Sequence, residues 1–142
     1  MSNNKINLSS GLEDYIEAIY VAQINQVPLK GAELARKLNI SRASVSEALS
    51  KLVSKGLISY KSYGVIALTK TGETEAEKVY SKHNKLKIFF EKVLGISAHE
   101  ASENACKIEH IISENLIKSI ENFTKLYLEH EEELKKIITN YK

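Results

Sequence analysis

The sequence predicts a mainly α-helical protein with one small β-hairpin: a winged helix-turn-helix at the N-terminal end, then an all-helical C-terminal half. Three observations carry this prediction. Two short segments with helical apolar spacing, 30–40 and 42–55, meet at Ser41, a good N-cap, which marks two helices joined by a tight turn. Two β-prone runs, Leu57-Ile58-Ser59-Tyr60 and Val65-Ile66-Ala67-Leu68, flank Lys61-Ser62-Tyr63-Gly64, where Gly64 supplies a turn conformation. From Thr69 onward the apolar residues recur with helical period only.

Element by element, Ser10 with Glu13 three residues later reads as a capping box. Leu12, Tyr15, Ile16, Ile19 and Tyr20 continue it, predicting a first helix from about Leu12 to Ile24. The loop Asn25-Gln26-Val27-Pro28 closes that helix. Lys30 to Ile40 reads as a short helix with Leu34, Ala35 and Leu38 facing inward and Asn39 at its end. The helix after Ser41 carries the stripe Val45, Ala48, Leu49, Leu52 and Val53 and stops at Gly56. Beyond the hairpin, Thr69 or Thr71 caps a long helix to about Leu94, because Ala76, Val79, Tyr80, His83, Leu86 and Phe90 repeat at helical spacing; Gly95 ends it. Ser97-Ala98-His99-Glu100 opens a helix through about Ser119, and a last helix covers about Asn122 to Tyr141. Glu129-His130-Glu131-Glu132-Glu133 reads as an exposed face of the latter. The expected division is a winged helix over 1–72 and a helical domain over 73–142.

At 142 residues and 43% hydrophobic content the chain can bury a real core. No apolar run approaches the roughly 18 residues of a membrane span. The N-terminal MSNNKINLSSG lacks the apolar segment of a signal peptide, so the expected location is the cytoplasm. A single cysteine, Cys106, excludes an intramolecular disulfide and leaves packing, ligation or redox chemistry. The net charge of +2 hides a segregation: residues 28–70 hold eight Lys and Arg against Glu33 and Glu47, a local balance of +6. That is the footprint of a surface facing phosphates.

The second helix of a helix-turn-helix enters the DNA major groove, and its first turns reach base edges. Those positions are Arg42, Ala43, Ser44, Ser46 and Glu47. Arg42 can bind a guanine edge through two hydrogen bonds, and Ser44 and Ser46 are short enough for close approach to phosphate or base. Lys51 and Lys55 lie further along, toward the DNA backbone. Lys61 and Tyr63 stand at the hairpin tip, placed for phosphate or minor-groove contact. Double-stranded DNA is the expected partner.

A second constellation is Cys106-Lys107-Ile108-Glu109-His110, in which thiol, carboxylate and imidazole recur at i, i+3 and i+4. In a helix these share one face and converge as an S/O/N donor set for a metal. A solvated charged face with one small apolar thiol meets the same pattern.

Together, Glu13-Asp14-Tyr15-Ile16-Glu17-Ala18-Ile19-Tyr20, Ser41-Arg42-Ala43-Ser44-Val45-Ser46, Leu68-Thr69-Lys70-Thr71-Gly72, His83 and the Cys106–His110 cluster carry a family likeness. Over nearly its whole length the chain resembles the metal-dependent repressors typified by the diphtheria toxin repressor and the manganese transport regulator. The resemblance implies a homodimer whose winged helices bind a palindromic operator when a divalent metal is bound. It implies metal ligands at Asp14, Glu17, His83, Cys106, Glu109 and His110. Asp14 with Glu17 matches the manganese-sensing branch, since the iron-responsive branch commonly has Met at the position of Asp14. Cys106 matches the iron-responsive branch instead, so the ligand set is a hybrid. Lys87 and Ser102 stand where iron-responsive relatives place a carboxylate and a histidine for an ancillary site, and the chain stops short of their SH3-like domain. His99 and Glu103 are left to a second site by helical proximity alone.

Mn²⁺ prefers oxygen donors, whereas a thiolate shifts preference toward Fe²⁺, Co²⁺ or Zn²⁺. One cysteine among oxygen and nitrogen donors tilts the set toward Fe²⁺ over Mn²⁺, with Zn²⁺ and Co²⁺ as occupants in vitro. The expected function is metal-dependent repression of metal-uptake genes, and not catalysis. Two alternatives are a winged-helix regulator answering to an organic ligand or protein partner, and a zinc hydrolase. The hydrolase is disfavoured by the absence of His-Glu-x-x-His and of a glycine loop to stabilise an oxyanion.

Overall fold

The computed structural model describes residues 6–141; Met1–Lys5 of the polar N-terminal stretch and Lys142 lie outside the described residues. The elements run α1 (Ser10–Ile24), α2 (Gly31–Leu38), α3 (Arg42–Ser54), β1 (Ile58–Tyr60), β2 (Ile66–Leu68), α4 (Lys70–Ile88), α5 (Ala98–Ile108), α6 (Glu114–Glu129) and α7 (Glu131–Thr139). A 3₁₀ turn at Ser62–Gly64 joins the strands, and α4 continues as a π-helical turn at Phe89–Val93. The helices with one hairpin match the fold class expected from the sequence. The chain divides into two compact units between Val79 and Tyr80.

In the first unit, Ile16, Ile19, Leu34, Val45, Leu49, Leu52, Leu57, Ile58, Ile66 and Leu68 form one core. It therefore takes residues from α1, α2, α3 and both strands. β1 and β2 are antiparallel, with Ile58 opposite Leu68 and Tyr60 opposite Ile66. The Ile66 amide donates to the Leu29 carbonyl at 2.8 Å, tying β2 to the segment before α2. The α2–α3 turn is made by Asn39 in the left-handed region (φ 54) and by Ser41, whose hydroxyl accepts from the Ser44 amide at 3.1 Å. Thr69 caps α4 by accepting from the Gly72 amide at 3.0 Å.

Three local expectations are corrected. The cap of α1 is Ser9, which accepts from the Leu12 amide, while Ser10 is already helical. Val53 is 45% exposed, outside the stripe that Val45, Ala48, Leu49 and Leu52 bury. The helix expected from Ser97 through Ser119 ends at Ile108, and Ser113 then caps α6, which runs unbroken past Asn122.

The second unit packs Leu86, Ala105, Ile112 and Ile117 together, with Phe90, Ile108 and Ile120 against them. Lys82 pairs with Glu114 at 3.0 Å and Lys85 with Glu121 at 3.2 Å, linking α4 to α6 along their solvent edge. The Lys85 ammonium hydrogen-bonds the Glu121 carboxyl and holds it below the ordinary carboxylate range. Among the described residues no helix is long and apolar enough to cross a membrane.

Candidate metal centre and nucleic-acid interface

The α5 terminus sets the geometry of the donor cluster. Cys106 lies in the last helical turn, Glu109 is the C-cap, and His110 and Ile111 form the turn beyond. The cluster sits at the helix end, but Glu109 keeps helical backbone angles (φ -54, ψ -29) and its amide still donates to the Ala105 carbonyl at 2.9 Å. It therefore shares a face with Cys106, as the spacing suggested, and is 1% exposed. His83, from α4, meets it: the His83 Nδ1 is 2.8 Å from the Glu109 Oε2 and 3.7 Å from the Cys106 Sγ. The His110 Nε2 lies 3.5 Å from the other Glu109 oxygen, and its side chain is 8% exposed.

One donor atom each from His83, Cys106 and Glu109 lie within 4.8 Å of one another. Imidazole and carboxylate ligate near 2.0–2.2 Å and thiolate near 2.3 Å, so donors sharing one ion lie roughly 3–4 Å apart. The His83 distances to Glu109 and Cys106 fall in or beside that range. A buried carboxylate beside an imidazole and a thiol is also a donor chemistry suited to a divalent transition metal. The residues present thus fit such an ion.

Asp14 and Glu17 occupy α1 of the first unit, three residues apart and so on one helical face; Asp14 is exposed and Glu17 half-buried. His99 lies in the first turn of α5 and Glu103 at its middle, both exposed, with 3.5 Å between their polar atoms.

The outer face of α3 is open to solvent over its first turns, because Val45, Ala48, Leu49 and Leu52 turn the opposite face into the core. Arg42, Ser44, Ser46 and Glu47 are all exposed. The Ser41 hydroxyl donates to the Ser44 hydroxyl at 2.9 Å, and Lys51 pairs with Glu47 at 3.1 Å. An open cleft of about 690 Å³ runs along the α2–α3 turn, and both Arg36 and Arg42 line it. Arg36, which the sequence reading did not single out as a contact residue, stands in the last turn of α2, one residue beyond the core position Ala35. Lys61 and Tyr63 stand exposed at the hairpin tip.

Comparison with known proteins agrees in both units. Residues 7–66 match the family model described as the iron dependent repressor N-terminal DNA binding domain. Residues 69–139 match the one described as the iron dependent repressor metal binding and dimerisation domain. An HTH-type transcriptional regulator of Methanocaldococcus jannaschii is 38% identical over 121 residues, covering 84% of this chain and 97% of its own. The regulator MntR of Lysinibacillus sphaericus is 27% identical over 126 residues, 89% of this chain and 90% of its own. Among solved structures, a manganese-dependent transcriptional repressor in complex with manganese superposes with TM-score 0.75 at 28% identity, over 80% of this chain and 52% of that one. IdeR of T. acidophilum superposes with TM-score 0.70 at 27% identity, over 80% and 53%. The chain thus spans about half the length of these solved relatives.

Proposed function

The chain belongs to the iron-dependent repressor family, a family of metal-dependent transcriptional repressors and not of enzymes, and on that premise we propose how this member works. As a homodimer it binds a palindromic operator and represses metal-uptake genes when Fe²⁺ or Mn²⁺ is held by His83, Cys106, Glu109 and His110 together with Asp14 and Glu17. The observation that carries the metal site is the convergence of His83 and Cys106 on the buried Glu109. When bound, the ion supplies a positive centre that links thiolate, carboxylate and imidazole donors. The thiolate of Cys106 favours Fe²⁺ over Mn²⁺, against the oxygen donors of Asp14 and Glu17.

The chain's own part in the switch follows from packing. α1, which carries Asp14 and Glu17, shares one core with α3, so a constraint on α1 is a constraint on the recognition helix. Two recognition helices of a dimer must match half-sites separated by whole helical turns. Fixing α1 selects the arrangement that matches, and a preference of a few kcal/mol suffices for a switch. Arg42, Ser44, Ser46 and Glu47 face the bases; Lys51, Lys61 and Tyr63 face the backbone and the groove beside it.

The test is anaerobic fluorescence anisotropy at one fixed salt concentration, with DNA upstream of the chain's own gene and of nearby metal-transport genes. Chelator is compared with buffered Fe²⁺, Mn²⁺ and Zn²⁺. Tight binding only with metal, abolished in Asp14→Ala and Glu109→Ala, is the expected result. Binding indifferent to chelator would overturn the proposal and favour control by an organic ligand or a protein partner.

A further inference from the structure

The hairpin tip holds a residue whose backbone conformation is unfavourable for its side chain. Tyr63 lies in the left-handed region (φ 61, ψ 27), and Gly64 follows with φ 74. Two consecutive left-handed residues in a hairpin turn are met at low cost by Asn-Gly, Asp-Gly or Gly-Gly. A bulky aromatic side chain there is a steric outlier. Burial does not offset the strain, since Tyr63 is 91% exposed.

The base of the hairpin is the opposite. Ile58 and Ile66 are 3% and 5% exposed, in the same core as Leu49 and Leu52 of α3. The Lys61 amide donates to the Val65 carbonyl at 2.7 Å and closes the turn below the tip. The hairpin is a firmly rooted arm that ends in a strained, solvent-facing ring. Strain kept where the fold gains nothing from it marks a residue with a task outside the fold.

Resting on the reading that α3 binds a major groove, we infer that Tyr63 is a specificity-determining contact to the DNA minor groove flanking each half-site. The B-form minor groove is about 6 Å wide, which admits a flat ring edge-on, and its floor distinguishes A·T from G·C by the guanine amino group. The wing reads groove width and the absence of that amino group, and the Lys61 ammonium, two residues away, contacts phosphates at the groove edge.

Full-length, metal-loaded wild type, Tyr63→Asn, Tyr63→Phe and Arg42→Ala are compared by anisotropy on the DNA upstream of the chain's own gene. The same duplex is then made with inosine replacing guanine in the flanks, which removes the minor-groove amino group and leaves the major groove unchanged. Tyr63→Asn, which tolerates the left-handed conformation, is expected to bind about 10-fold more weakly, while its thermal midpoint without DNA rises by roughly 2–4 °C. Wild type and Tyr63→Phe are expected to respond to inosine and Tyr63→Asn not to. Wild-type affinity in Tyr63→Asn, with Arg42→Ala weakened, overturns this inference and leaves the DNA reading intact; a tip that binds protein gives this result. A lowered midpoint in Tyr63→Asn overturns it as well. Arg42→Ala without effect would instead overturn the reading of α3 on which it rests.

Discussion

A carboxylate that is 1% exposed, as Glu109 is, must be met by donors or cations, because an uncompensated charge away from water is strongly unfavourable. His83 meets one oxygen at 2.8 Å and His110 lies 3.5 Å from the other, so this residue organises the cluster. Glu109→Gln preserves shape and removes the anion, and metal affinity by calorimetry is expected to fall by more than the roughly 10- to 100-fold that loss of an outer partner costs. Cys106→Ser tests the thiolate separately: Co²⁺-loaded wild type is expected to show the near-ultraviolet sulfur-to-metal charge-transfer band and the variant to lack it. A band of equal strength in both would remove Cys106 from the ligand set. Gly72 presents a steric case at the start of α4. A Cβ there would lie 1.9 Å from the Leu57 carbonyl oxygen and 3.2 Å from the Leu68 side chain. Gly72→Ala therefore forces α4 away from the hairpin, and urea unfolding is expected to show a loss of about 1–3 kcal/mol, the usual cost of overpacking. Wild-type stability would mean that the contact relaxes freely.

Helix α6 is fastened to α4 by ion pairs as well as by its apolar face, and Glu121 is the link whose pH response has a definite sign. The Lys85 hydrogen bond lowers its folded-state pKa, so the native state binds fewer protons than the unfolded chain through the acid range. The stability it contributes is present above the unfolded carboxylate pKa, about 4.3. That contribution is lost as pH falls through the folded value. The midpoint difference between wild type and Glu121→Gln is expected to be largest above pH 5 and to shrink toward pH 3; a constant difference would mean that packing, not charge, joins the pair. At this scale much of the fold is legible. Ser41, Thr69 and Ser97 cap helices, and Gly56, Gly64 and Gly95 adopt the positive φ that their positions demand. The break between Ile108 and Ser113 was not legible, because neither glycine nor proline lies there and the apolar spacing runs on. Burial of Ile112 and Ile117 against Leu86, together with the cap at Ser113, overrides that periodicity. Spacing alone could suggest that Cys106 and Glu109 share a face, but not that both would meet His83. That partner lies 26 residues earlier, and in the sequence reading it entered the ligand set through family likeness rather than local pattern.

Across the whole molecule, charge is divided by function. Residues 28–70 carry +6 of formal charge, while the other 99 residues carry −4, giving the net +2. The basic segment spans α2, α3 and the hairpin, all in the first unit, so the phosphate-facing charge belongs to one body. Neutralising phosphates releases condensed counterions, and the logarithm of the affinity then falls linearly with the logarithm of salt concentration, at a slope set by the number of contacts. Lys61 and Arg42 should separate on this plot. On the proposed interface Lys61 meets a phosphate, so Lys61→Ala is expected to shrink the slope by about 1 per subunit, with operator and scrambled duplex weakened alike. Arg42 is proposed to meet a base, so Arg42→Ala is expected to narrow discrimination between the two duplexes by about 1–3 kcal/mol. The measurement is anisotropy between about 50 and 200 mM salt, with metal-loaded protein on both duplexes. If Lys61→Ala narrowed discrimination while leaving the slope unchanged, the wing would be reading bases through its lysine; if Arg42→Ala changed only the slope, the first turn of α3 would face the backbone and the bases would be read elsewhere along the helix.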